Sequence, residues 1–115
     1  MIYALALQAD GSLLLGGNFT QVGGMNRNYI ARIDSNGIVD PQFNPNSNQS
    51  VVTIAVQADG RIAVGGFFSS IGGIPRSRIA RLRANGSLDL AFDPGANDTV
   101  ASLLPMMDGT LLVGG

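Results

Sequence analysis

"GGNFTQVGG" occupies Gly16–Gly24, and "GGFFSSIGG" occupies Gly65–Gly73, forty-nine residues further on. Reading these as two copies of one unit decides the fold. Outward from them, Asp10-Gly11 returns as Asp59-Gly60 and Asp108-Gly109, and Gly16-Gly17 returns as Gly65-Gly66 and Gly114-Gly115. "IAR" at Ile30–Arg32 returns at Ile79–Arg81, and Asn36-Gly37 returns as Asn85-Gly86. Asp40, Phe43 and Pro45 return as Asp89, Phe92 and Pro94. Residues 3–51 laid on 52–100 without a gap share 21 identities in 49 positions, which establishes an internal repeat. The repeats run 1–51 and 52–100, and 101–115 is a partial third.

One repeat reads as strands. In "IYALALQ", residues 2–8, Tyr3, Leu5 and Leu7 alternate with Ala4 and Ala6. Val52, Ile54 and Val56 alternate with Thr53 and Ala55 in the second copy. That is a strand with a bulky face and a small face, both expected to be buried. Asp-Gly between two apolar runs is a hairpin signal, because glycine supplies positive φ. The second strand is "SLLLGGNF", residues 12–19; its glycine pair reads as a slot for a close neighbour, an aromatic such as Phe19 or Phe43. "TQVGGMNRN" reads as a loop, "YIARID" (residues 29–34) as the third strand, and "IVDPQF" (residues 38–43) as a short outer fourth. Pro41 lacks an N–H and suits an edge.

Four antiparallel strands per repeat of this length are the sequence signature of β-propeller blades. The fold class is therefore all-β: a propeller of antiparallel four-stranded blades with a 49-residue repeat, about two and a half of them present. A solenoid needs a shorter period, and a membrane barrel needs aromatic girdles that a 6% aromatic content does not supply. The strand count leaves three readings open: a fragment of a longer protein, a unit that self-associates through open blade edges, or a stable arc.

Composition narrows the function classes. All seven cations are Arg and all eight anions are Asp; Lys, Glu, His and Cys are absent. The net charge of −1 offers no basic field for nucleic acid, and no run is long and apolar enough for a membrane helix. Arg76, Arg78, Arg81 and Arg83 form a local positive strip, expected to be ion-paired or solvated. General acid–base work and nucleophile activation lean on His, Glu, Lys or Cys, so no catalytic residue is assigned and no enzyme is expected. Asp10, Asp59 and Asp108 precede Gly in turns and read as structural. Asp40 and Asp89 read as partners of Arg32 and Arg81 or as turn caps. No cofactor motif and no D-x-[DN]-x-[DN]-G calcium loop is present, although the oxygens of "NPNSNQS" and "PGANDT" are conceivable cation ligands.

The run "ALALQADGSLLLGGNFTQVGG…RNYIARIDSNGIVDPQFNP" resembles the delta-60 repeat, a bacterial β-propeller repeat. The likeness rests on Gln8, Asp10, Gly11, Gly16, Gly17, Phe19, Gly23, Gly24, Arg27, Ile30, Ala31, Arg32, Asp40, Phe43 and Pro45, and on their second-copy counterparts. The third copy departs at Pro105 and Met106. The resemblance implies a secreted or cell-surface bacterial protein. No signal-peptide pattern opens this chain. Two function classes follow. One is a non-enzymatic scaffold or binding module that engages protein or glycan through "TQVGGMNRN", "SSIGGIPRS" and "NPNSNQS", with its binding residues unassigned. The alternative is part of a propeller enzyme, a sugar hydrolase or lyase, with its catalytic residues in other blades.

Overall fold

The computed structural model describes residues 1–106 and 110–115, and all of its regular structure is strand. The proposed Asp108-Gly109 turn lies outside the described residues. Blade 1 is a sheet in the order β1 (Ile2–Leu7), β2 (Leu13–Gly17), β5 (Ile30–Ile33). Blade 2 repeats it with β6 (Val51–Val56), β7 (Ile62–Gly66) and β10 (Ile79–Leu82), and blade 3 contributes the hairpin β11 (Ser102–Pro105) and β12 (Leu111–Gly114). All pairings are antiparallel.

The fourth strand of each full blade contracts to one bridge, Val39 opposite Ile33 and Leu88 opposite Leu82. Its next residue is the cause. Asp40 Oδ1 accepts from the Gln42 N–H at 2.9 Å, and Asp89 Oδ1 from the Ala91 N–H at 3.2 Å, so the carboxylate turns the chain away from the ladder. "TQVGGMNRN" is more than a loop. It holds a two-residue hairpin, β3 (Gln21–Val22) against β4 (Met25–Asn26), and blade 2 matches it with β8 (Ser70–Ile71) against β9 (Ile74–Pro75). The turn requires positive φ at both central residues, and Gly23 (54°), Gly24 (82°), Gly72 (60°) and Gly73 (78°) provide it.

The first glycine pair works differently, and the expected aromatic occupant is corrected. A Cβ on Gly16 would stand 2.8 Å from Val51 Cγ1 and 3.0 Å from Ile54 Cδ1, both from the next blade. At Gly65 it would stand 2.6 Å from Val100 Cγ1. A β-branched side chain thus rests on bare backbone, while Gly17 and Gly66 take the backbone carbonyls of Met1 and Ser50 against their Cα.

A bulge also corrects the expected strand faces. The ladder slips between Ile2 and Ala4, and again between Val51 and Thr53. The extra residue reverses the alternation, so Val51 points with Ile54 toward the preceding blade. Tyr3, Val52 and Ala101, which are repeat equivalents, instead line a shared hollow of about 530 Å³ with Phe67. The bulky faces also differ in burial. Val51 is fully buried against blade 1, whereas its counterpart Ile2 is 51% exposed and Leu5 is 61% exposed among the described residues.

The core lies between blades 1 and 2: Leu14, Ile30, Phe43, Val51, Ile62, Val64, Phe68, Ile71, Ala80 and Leu82. Each full blade carries one clamp on its outer side. Arg32 Nε and Nη2 donate to Asp40 Oδ2 at 3.0 and 2.8 Å, and the guanidinium carbon sits 4.5 Å from the Phe43 ring centroid. Arg81, Asp89 and Phe92 repeat this at 2.9 and 4.5 Å. The D-x-x-F spacing returns the phenyl ring beneath the arginine of the neighbouring strand, a cation–π arrangement. Arg32 also reaches into blade 2, donating from Nη1 to the Ala84 carbonyl at 2.6 Å.

A polar cleft between the blade loops

Three segments meet on one side of the blade 1–blade 2 junction. They are the end of "TQVGGMNRN", the connector "NPNSNQS" and the β8–β9 hairpin. Between them is an open cleft of about 380 Å³ lined by Asn28, Tyr29, Asn46, Ser47, Asn48, Ser70 and Gly73. The three loops singled out from the sequence therefore converge on one place.

Local chemistry builds this cleft. Tyr29 and Arg78, at equivalent positions, both adopt positive φ (69° and 64°), with their N–H groups donating to the Phe19 and Phe68 carbonyls at 2.9 Å. That backbone turn delivers the chain into the third strand. Asn46 and its equivalent Gly95 share another left-handed turn (63° and 66°), which suits both residue types. Asn48 is the brace. Its Oδ1 accepts from the Ser69 and Ser70 N–H groups at 2.9 and 3.2 Å, and its Nδ2 donates to Ser69 Oγ at 2.9 Å. Ser47 is buried and donates from Oγ to the Gln49 carbonyl at 2.7 Å. Asn28 Nδ2 donates to Asn46 Oδ1 at 2.8 Å. This leaves the Asn28 oxygen and the Asn46 amide hydrogens as exposed bonding capacity.

No Asp or Arg lines the cleft. Such a surface can exchange hydrogen bonds with hydroxyl, amide or backbone groups, and Tyr29 is the ionisable residue in its lining. The equivalent backbone in blade 2 carries Ser77, Arg78, Gly95 and Ala96 in place of Asn28, Tyr29, Asn46 and Ser47. Blade geometry therefore does not demand the asparagines. A signal was available in the sequence: conserved turn geometry with side chains that change between copies.

Asp10, Asp40, Asp59 and Asp89 sit in the turns and ion pairs expected of them. Asp40 and Asp89 pair with Arg32 and Arg81. The Gln42 N–H foremost, with the Arg32 guanidinium behind it, holds the Asp40 carboxyl below its usual range against the opposing effect of burial. The Arg81 hydrogen bond does the same for Asp89. Asp10 is lowered by the Ser12 N–H that closes its turn, and Asp59 accepts from the Arg61 N–H at 3.0 Å. Of the arginine strip, Arg76 and Arg81 pair with Asp93 and Asp89, and Arg78 donates to the Ala96 carbonyl at 3.4 Å. Arg27 was not singled out for packing, yet it is buried and donates to the Phe43, Asn26 and Asp40 carbonyls. Among the described residues, no group of three or more Asp side chains gathers as a metal site. In "NPNSNQS" the Asn46 and Asn48 side-chain oxygens accept hydrogen bonds from the neighbouring loops.

A family model described as "Domain of unknown function (DUF5122) beta-propeller" matches residues 8–43 and 57–92, the same part of each repeat and more than half of the chain. No curated protein matches the chain.

Proposed function

The chain belongs to the DUF5122 β-propeller family, and from that premise we propose that it is a non-enzymatic scaffold or binding module. It engages an uncharged polar ligand, a glycan or a protein backbone, through the loop cleft. The observation that carries this reading is the convergence of Asn28, from the first loop, with Asn46 and Asn48, from the connector, in one cleft free of charged side chains. Rigid strands hold the loops, and amide groups recognise neutral hydroxyl or peptide partners. The finer identity in this reading is a delta-60 repeat protein of a bacterial surface or secreted setting, supported by the Q-x-D-G, G-G and D-x-x-F-x-P phrases. Self-association belongs to the same reading.

The test is a binding screen of the full chain against immobilised neutral oligosaccharides and extended peptides, repeated with Asn28→Ala and Asn46→Ala. Binding by the parent that falls tenfold or more in either variant, with strand content intact, supports the cleft. Equal binding by parent and variants contradicts it.

A further inference from the structure

We propose that the cleft between the blade loops is a subsite for a neutral saccharide, with the Tyr29 ring carrying one face of a sugar and the Asn28 and Asn46 amides reading its hydroxyl groups. The proposal rests on the binding-module reading above. It narrows the ligand of that reading from glycan or protein backbone to an oligosaccharide.

The backbone around the cleft is already spent. The connector is held on both sides. On one side the Ser47 N–H donates to the Asn28 carbonyl at 3.3 Å. On the other, the Asn48 N–H donates to the Ser70 carbonyl at 3.2 Å and the Gly72 N–H to the Asn46 carbonyl at 2.9 Å. The Ser69 and Ser70 N–H groups go to Asn48 Oδ1, and Pro75 in β9 has no N–H to offer. A peptide bound through its own backbone needs a row of open N–H and C=O groups along a strand edge. These loops close that row among themselves.

What the cleft offers instead is side-chain capacity. The Asn28–Asn46 bond uses one Asn28 hydrogen and the Asn46 oxygen, so the Asn28 oxygen and both Asn46 amide hydrogens stay open. Among the described residues, the Ser70 and Tyr29 hydroxyls have no protein partner. A sugar hydroxyl both donates and accepts, so an amide oxygen beside an amide N–H answers both of its halves. The rest of a pyranose is a face of C–H groups, which suits the electron-rich face of an aromatic ring. Tyr29 is half-buried, packed against the core between the blades while also lining the cleft.

The repeat supplies an internal control. Tyr29 and Arg78 hold the same left-handed backbone, at 69° and 64°, so the turn does not call for an aromatic residue. Asn28 and Asn46 have Ser77 and Gly95 as counterparts. A strained position that accepts unrelated side chains leaves their choice to something other than the turn. At the blade 1–blade 2 junction that choice sets a ring and two amides in one uncharged cleft of about 380 Å³.

The test uses the full chain. Tyr3 and Tyr29 are its two tyrosines and tryptophan is absent, so Tyr3→Phe leaves Tyr29 as the reporting fluorophore. Tyr3 lies in a different hollow. This protein is titrated with cellotetraose, maltotetraose and chitotetraose, and with an extended uncharged peptide of serine, threonine and asparagine. Tyrosine emission and calorimetry read binding. Asn28→Ser, Tyr29→Arg and Asn46→Gly each install the side chain that the same backbone carries in blade 2. At least one saccharide is expected to shift the Tyr29 emission saturably. Its calorimetric affinity is expected to fall tenfold or more in Tyr29→Arg and in Asn46→Gly. Peptide binding that depends on Asn28 and Asn46, with no saccharide response, overturns the sugar assignment and leaves the binding-module reading standing. Saccharide binding that persists in both variants overturns the subsite. A saccharide that binds without moving the emission overturns the role given to the ring. No binding of any probe overturns both readings. Circular dichroism confirms strand content; should Tyr29→Arg lose its strands, the emission response and Asn46→Gly decide the matter.

Discussion

Val51 of blade 2 sits on the backbone of Gly16 in blade 1, its Cγ1 2.8 Å from where a Cβ would stand. Val100 repeats the contact on Gly65 at 2.6 Å. A methyl group at either glycine would collide with a stiff, β-branched side chain in a packed seam. Gly16→Ala and Gly65→Ala should each destabilise the chain by about 1–3 kcal/mol. The check is the urea unfolding midpoint, with an unchanged midpoint counting against the slot.

Gly24 should behave in the opposite way toward a residue that tolerates left-handed backbone. Its φ is +82° and nothing lies within 4 Å of a Cβ built there. Gly24→Asn should therefore cost less than about 1 kcal/mol, whereas Gly24→Val should cost more, because a β-branched residue resists positive φ. Gly16→Asn, which needs space and not φ, should be as damaging as Gly16→Ala or worse. The four unfolding curves together separate the two kinds of glycine.

Phe43 and Phe92 occupy equivalent clamps with unequal cover. Phe43 is fully buried, with Gly86 of blade 2 against its ring, while Phe92 is partly exposed beside an open hollow of about 390 Å³. Phe43→Ala should cost about 3–5 kcal/mol, in the range for a core phenyl. Phe92→Ala should cost clearly less. Equal losses would mean that the two clamps are equally enclosed.

The clamps also set an acid limit. The carboxyls of Asp40 and Asp89 are held below their usual value in the folded chain. Their contribution to stability is present above the unfolded value of about 3.9 and is lost as pH falls through the folded values. Stability should decline below about pH 4. Asp89→Asn should lower stability at neutral pH and flatten that decline. Unfolding free energy measured against pH tests both, and an unaltered acid slope in the variant would count against Asp89 as a contributor.

The repeat, the strand order and the Arg–Asp pairs were legible because each leaves its mark at a fixed sequence spacing. D-x-x-F was read within a fourth strand, and the turn-capping alternative for its aspartate is what shortens that strand to one bridge. Three features were not legible. The bulge at Tyr3 and Val52 reverses a strand face without altering the alternating pattern, so Val51 could not be recognised as the residue seated on Gly16. The occupant of the Gly16 slot comes from 35 residues away in another blade, a distance over which periodicity says nothing. Gly23-Gly24 looked like loop glycines because two-residue strands are too short to alternate. The cleft was half legible: its loops could be named, but their convergence depends on how blade 2 is rotated against blade 1.

The most direct measurement is a proton NOE spectrum of the folded chain. Methyl protons of Val51 should show strong cross-peaks to the Gly16 Hα protons, and those of Val100 to Gly65. One Gly86 Hα should be shifted upfield by the Phe43 ring. Absence of the Val51–Gly16 and Val100–Gly65 cross-peaks in an assigned spectrum would contradict the stacking of successive blades through glycine slots.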